Sequence, residues 1–140
     1  MTESLTFLHT ADLHLGAPFR GLAKVSPAWA ARLVQAIAEA FDRVIDTAVS
    51  RKVDFVVISG DVFDASRASY GDYLRFFEGM RTLGKAGIPV YLITGNHDPY
   101  TSWQQSTFSL PENVRMLPAD KPGFELFRRN GKPLCIIGGR

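Results

Sequence analysis

Cysteine occurs once in the 140 residues, at Cys135, so no intrachain disulfide can form. That fits a reducing compartment and gives the expectation of a cytoplasmic protein. Histidine is nearly as scarce: His9, His14 and His97, with none beyond position 97. No apolar run approaches the roughly 20 residues that span a bilayer. The chain opens into a short apolar strand, without the basic start and apolar core of a secretory signal, so no membrane role is expected. Neither sign of charge is in excess. Sixteen basic and 14 acidic residues leave a net charge of +2, too mild to argue for a nucleic-acid surface by itself. It does not argue against one, because bound cations would neutralise clustered aspartates. Internal repeats, low-complexity stretches and a Pro/Gly/Ser-rich linker are all missing, so the length fits one domain. What remains is 46% hydrophobic and 21% charged, enough apolar side chain for a real core and too little charge for disorder.

Short apolar runs at residues 5–9, 55–58 and 90–93 read as buried strands. Between the first two, residues 16–26 read as a loop. Ser26-Pro27 is a helix start, a capping hydroxyl followed by proline in the first turn. Trp29, Leu33, Ile37, Phe41, Val44, Ile45 and Ala48 then recur at helical spacing to about Arg51, with Trp29 and the Phe41 stripe taken as core. A second helix is expected from about Ser69 to Ala86, ending at Gly87, with Tyr70, Tyr73, Leu74, Phe77 and Met80 along its core stripe. Phe76 and Leu83 fall on another side, which implies a second contact, with another subunit or later chain. The order β-α-β-α-β with long crossovers implies a parallel sheet. Beyond it, 100–108 reads as a short helix and 114–117 as a fourth strand. Residues 124–128 and 134–137 flank Asn130-Gly131, a strong hairpin signal whose Arg128, Arg129 and Lys132 read as a solvated tip.

Three polar clusters stand where these strands end: HTADLH at 9–14, SGDVFD at 59–64 and TGNHD at 94–98. In an open parallel α/β sheet the ligand crevice lies at the carboxyl ends of the strands. Three separate segments therefore deliver Asp12, His14, Asp61, Asn96 and His97 to one place. Carboxylate, amide and imidazole donors meeting in one crevice suit a metal site built for hydrolysis. Each cluster also has a structural reading. Asp12 and His14, two apart and on one side of extended backbone, can share a cation, or Asp12 caps a turn and His14 is merely exposed. Gly60-Asp61 can bend a carboxylate toward a cation, or simply start a helix. Asn96-His97-Asp98 can be a polar turn before Pro99. His9 is better read as a satisfied structural residue than as a ligand. Arg20, Lys24 and Arg67 lie near the edge of the crevice; each can touch phosphate or be a solvated loop charge.

The linked set D-x-H, G-D-x-x-D and G-N-H-D resembles the calcineurin-like metallophosphoesterases, and HTADLHLG with GDVFD is similar to their DNA-repair exonuclease branch, of the SbcD and YhaO type. The likeness is dense from residue 5 to 98 and thinner beyond. It implies an α/β fold, the parallel βαβαβ start of the family's αββα sandwich, truncated, with residues 1–140 as the N-terminal part of a single domain. It implies two divalent metal ions, usually Mn²⁺, with Asp12 and His14 on the first, Asp61 shared by both and Asn96 on the second. His97 corresponds to the catalytic histidine and Asp64 to the carboxylate that orients it. DNA as substrate, an ATPase partner of the SbcC type and a homodimer are implied as well.

The family completes its centre with three further histidines from later GH and GHxH segments, and this chain has none of them. The expectation is an N-terminal fragment of a phosphodiesterase, inactive alone, most plainly of a DNA exo- or endonuclease. A phosphodiesterase or phosphatase for small substrates would use the same motifs. A non-catalytic binding or assembly module retaining half a metal site is the reading from a different class.

Overall fold

The computed structural model describes residues 4–104 and 109–140. Four parallel strands, β1 (Phe7–Thr10), β2 (Phe55–Ser59), β3 (Val90–Ile93) and β4 (Val114–Met116), lie side by side in that order. Their register pairs Phe7 with Phe55, Val56 with Val90 and Val90 with Val114, so the carboxyl ends of β1, β2 and β3 come level. The helices between them are α1 (Arg20–Val25), α2 (Pro27–Ser50), α3 (Tyr70–Lys85) and the short α4 (Tyr100–Gln104). The rest of the helix expected over 100–108 lies outside the described residues. A hairpin of β5 (Gly123–Arg129) and β6 (Lys132–Gly139) completes the fold. Its turn places Asn130 at φ 53° and Gly131 at φ 80°, the two left-handed positions that the Asn-Gly pair signals.

Alternation along the strands divides the sheet into two faces. Val56, Ile58, Val90 and Leu92 pack with Phe41 and Ile45 of α2 and with Phe76, Phe77, Met80 and Leu83 of α3. Phe55 and Tyr91 turn the other way, onto Phe127, Cys135 and Ile137 of the hairpin. Helices thus cover one face and a second small sheet the other, as expected for the start of an αββα sandwich. No described helix is long and apolar enough to cross a membrane.

Several elements differ from the sequence reading. The segment over 16–26 contains the six-residue helix α1, too short for periodicity to reveal and with none of its residues buried. Ser26 closes α1 with its N–H on the Leu22 carbonyl, and its hydroxyl caps α2 by accepting from the Trp29 N–H at 3.4 Å. Trp29 is 65% exposed and is no part of the core. A 24-residue helix is roughly 36 Å long, whereas strands of four or five residues span roughly half that, so the first turns of α2 run past the sheet. β1 is not buried: it is the sheet's edge, and Phe7 is 54% exposed although its ring stacks on Phe55 at 5.2 Å.

The apolar second side of α3 is covered within the chain. Phe76, Met80 and Leu83 are fully buried, and Phe76 meets Phe41, Phe63 and Trp103 at ring separations of 5.3–5.8 Å. Those residues leave no surface for another subunit on that side. Arg129 is not a solvated tip either. It reaches from the hairpin to Asp54, donating through Nε at 2.9 Å, and to the Ser4 carbonyl at 3.0 Å, while Asp54 also accepts from the Thr6 N–H at 2.8 Å.

Burial alone would raise the Asp54 carboxyl, but the Arg129 hydrogen bonds, the Thr6 amide and the guanidinium charge outweigh it and hold it below 3.8. A depressed carboxyl contributes stability above its unfolded value and loses it as pH falls through the folded one. Arg129→Ala should therefore cost about 1–2 kcal/mol at neutral pH. The gap from the natural protein should close as denaturation is followed below pH 3.8; a gap independent of acid would separate Arg129 from the Asp54 charge.

Candidate metal centre

Where β1 and β2 stop pairing as strands, their continuations remain laced together. Asp12 N–H donates to the Gly60 carbonyl at 3.2 Å, His14 N–H to Asp61 at 2.9 Å and Leu15 N–H to Val62 at 2.8 Å. Asp12, His14 and Asp61 all take left-handed backbone, at φ 53°, 47° and 50°. Among the described residues only five non-glycines do so, and three of them are these. Such conformations cost of order 1 kcal/mol or more each and persist where neighbours over-determine them, most often at functional sites. The same-side placement of Asp12 and His14 thus does not come from an extended strand. β1 ends at Thr10, and two left-handed kinks return both side chains to one side, Nε2 of His14 lying 3.8 Å from Oδ1 of Asp12.

Asp12, His14 and Asp61 each offer a ligand atom, and these atoms lie within 4.8 Å of one another. Asp12 is exposed, while His14 and Asp61 are half-buried, so the group opens to solvent on one side. The turn after β3 joins it from the opposite side. His97 N–H donates to Oδ1 of Asp61 at 2.9 Å, and the His97 ring stands edge-on to the His14 ring at 5.0 Å between centroids. Asn96 is exposed one position earlier in the same turn. Gly95 has to be glycine: its missing Cβ would fall onto the Asp61 carboxylate. A side chain there would push that carboxylate out of the group.

The residue that holds both loops went unassigned in the sequence. Asp98 is fully buried, and its carboxylate accepts from Gly95 N–H at 2.8 Å, Asp61 N–H at 3.1 Å and Val62 N–H at 2.9 Å. Burial pushes its carboxyl above the ordinary range, the amides of Gly95, Val62 and Phe63 oppose the rise, and the Asp61 charge adds to it. A signal was available: an acidic side chain directly after a buried strand and a polar turn must find donors, and the nearest are exposed backbone amides.

His9 and Asp64 have partners of their own. His9 Nε2 is 2.8 Å from Ser59 Oγ, which ties the ends of β1 and β2 side by side. Asp64 accepts from Ser66 Oγ at 3.1 Å and lies 3.6 Å from Nη1 of Arg67. Among the described residues its carboxylate has no hydrogen bond to His97; the link is the neighbouring backbone, Ala65 N–H to the His97 carbonyl at 3.1 Å.

Two carboxylates and an imidazole form a donor set of intermediate hardness that suits a divalent first-row cation. Oδ1 of Asp61 accepts from the His97 amide, which restrains the carboxylate. Three side chains are few for a divalent ion, so solvent or further ligands would complete any coordination shell.

A family model described as calcineurin-like phosphoesterase matches residues 5–140. Similar curated proteins include YhaO of Bacillus subtilis, described as an uncharacterized metallophosphoesterase, 34% identical over 139 residues, which are 99% of this chain and 34% of that protein. The DNA double-strand break repair protein Mre11 of Aeropyrum pernix is 34% identical over 90% of this chain and 28% of its own length. The SbcD component of the nuclease SbcCD of Escherichia coli is 31% identical over 95% of this chain and 32% of its own length. The chain spans about a third of the length of these relatives.

Asp98→Ala would strand three backbone donors in a buried site and should cost roughly 2–4 kcal/mol. Asp98→Asn, which keeps a carbonyl acceptor, should cost less. Chemical denaturation of both variants checks the order. Equal, negligible losses would mean that Asp98 does not hold the loops.

Proposed function

The chain belongs to the calcineurin-like phosphoesterases, and on that footing we propose that it forms the N-terminal part of a single metal-dependent phosphodiesterase domain that cleaves DNA in repair. The observation that carries the hydrolytic reading is the convergence of Asp12, His14 and Asp61 within 4.8 Å, on left-handed backbone, at the carboxyl ends of two parallel strands. The DNA reading has a weaker basis, the names of the Mre11 and SbcCD relatives.

In this reading Asp12 and His14 would hold one divalent ion, Asp61 would serve it and a second, and Asn96 would serve the second; Mn²⁺ is the proposed metal. Bound ions supply Lewis-acid polarisation of the phosphate and a strong nucleophile from water at neutral pH. The chain's own residues orient and neutralise. Asp61 is restrained by the His97 amide, so motion of one loop is felt by the other. The exposed His97 imidazole, edge-on to the His14 ring, would stabilise the developing charge or protonate the departing sugar oxygen. Asp64 would act on His97 through the 64–65 backbone. A partner ATPase of the SbcC type and a cytoplasmic setting extend the same resemblance, and the name of the Escherichia coli relative marks it as one component of a complex. A homodimer would have to use a surface other than the buried side of α3.

Mutations in the full-length protein separate the roles. Asp61→Ala should abolish divalent-dependent hydrolysis. His97→Ala should lower kcat by roughly 10²–10⁴-fold while Mn²⁺ occupancy, followed by titration, stays near that of the natural protein. Loss of one ion equivalent would make His97 a ligand. Comparing single- and double-stranded DNA with an aryl phosphodiester tests the substrate. Turnover of the aryl diester without either DNA would favour the small-substrate reading, and no hydrolysis with any divalent ion would favour a non-catalytic module.

Residues 1–140 alone should bind at most one Mn²⁺, weakly, at Asp12, His14 and Asp61, and should not measurably cleave DNA. Robust Mn²⁺-dependent cleavage by this chain would mean that no further ligands are needed.

A further inference from the structure

The segment after Asp61 does more than lead into α3. Asp64 N–H donates to the Leu15 carbonyl at 3.0 Å, one residue from His14, and Ala65 N–H donates to the His97 carbonyl at 3.1 Å. Ala68 lies so close to Gly16 that a Cβ on that glycine would sit 2.5 Å from the Ala68 Cα. Residues 64–68 are thus clamped between the two loops that carry His14 and His97, on the rim of the metal centre.

Arg67 projects from this clamp. Its N–H is fixed on the Asp64 carbonyl at 2.8 Å, and its guanidinium stands 3.6 Å from the Asp64 carboxylate, whose other oxygen is held by Ser66 Oγ. At 3.6 Å this is a charge contact and not a hydrogen bond, so it sets where the cation sits while leaving its five N–H donors available. The side chain is 45% exposed. Two other arginines are engaged elsewhere: Arg129 with Asp54 and Ser4, and Arg128 with the Gly131 carbonyl at the hairpin turn.

We infer that Arg67, positioned by Asp64, grips a backbone phosphate next to the scissile one and so favours a polynucleotide strand over a small diester. This rests on the phosphodiesterase reading of the adjacent centre. A planar guanidinium matches two phosphate oxygens at once, and such contacts fix register without reading bases. A small diester has no neighbouring phosphate and gains less from Arg67.

The test is a salt titration of the full-length protein without metal, binding a mixed-sequence single-stranded DNA oligonucleotide. Arg67→Ala should weaken binding roughly three- to tenfold and lower the slope of log affinity against log salt by about 0.7, one phosphate contact. Arg67→Lys should restore the slope. Arg51→Ala, an exposed arginine at the far end of the sheet, should change neither. With Mn²⁺, Arg67→Ala should raise KM for the oligonucleotide by a larger factor than KM for bis(p-nitrophenyl) phosphate. An unchanged slope, a loss equal to that of Arg51→Ala, or a natural protein that binds no oligonucleotide would each overturn the assignment. Absence of hydrolysis of either substrate, with the salt slope still altered, would overturn the phosphodiesterase reading and leave Arg67 as a phosphate contact.

Discussion

One buried carboxylate receives three backbone N–H groups from two loops that are more than thirty residues apart in sequence. Asp98 takes Gly95 from its own turn and Asp61 and Val62 from the turn after β2. The Asp61 N–H takes its acceptor from Asp98, whereas the equally left-handed Asp12 and His14 donate to the backbone carbonyls of Gly60 and Asp61. A neutral acceptor would serve one or two donors; a carboxylate can serve all three. Burial of that charge is unfavourable by itself, and the converging amides make it tolerable. Once they are joined, Asp61 is aimed and the His97 amide can reach its Oδ1. Asp61 thus both offers a carboxylate to a cation and helps to tie the two loops.

Part of this arrangement was legible in the sequence. The strands at 55–59 and 90–93, the capped starts of α2 and α3 and the Asn-Gly hairpin follow local rules, and each lies where the pattern puts it. The meeting of Asp12, His14 and Asp61 was legible too, because level strand ends follow from parallel order. What was hidden depended on tertiary contacts. Trp29 has the spacing of a core residue, yet the helix outruns the sheet it packs on. Phe76 and Leu83 look like surplus apolar surface until Phe41, Phe63 and Trp103 are seen to close over α3. Arg129 reads as a tip charge because its partner Asp54 is distant in sequence. Left-handed backbone at Asp12, His14 and Asp61 was not read from the sequence, although Asp and His are among the residue types enriched there.

Family membership and geometry bear on different parts of the function. The match over residues 5–140 covers nearly the whole chain, and it places the chain among the calcineurin-like phosphoesterases. The rim of the centre is where members with different substrates would differ. Here that rim holds an arginine beside Asp64, an exposed asparagine and an exposed histidine.

The most direct test of the account is where a divalent ion goes. Crystals grown with Mn²⁺ and measured near the manganese absorption edge should show an anomalous peak among Asp12, His14 and Asp61, with the Asp61 carboxylate still accepting from the His97 amide. A peak elsewhere, or none at these residues under saturating Mn²⁺, would contradict the assignment of this cluster as a metal centre.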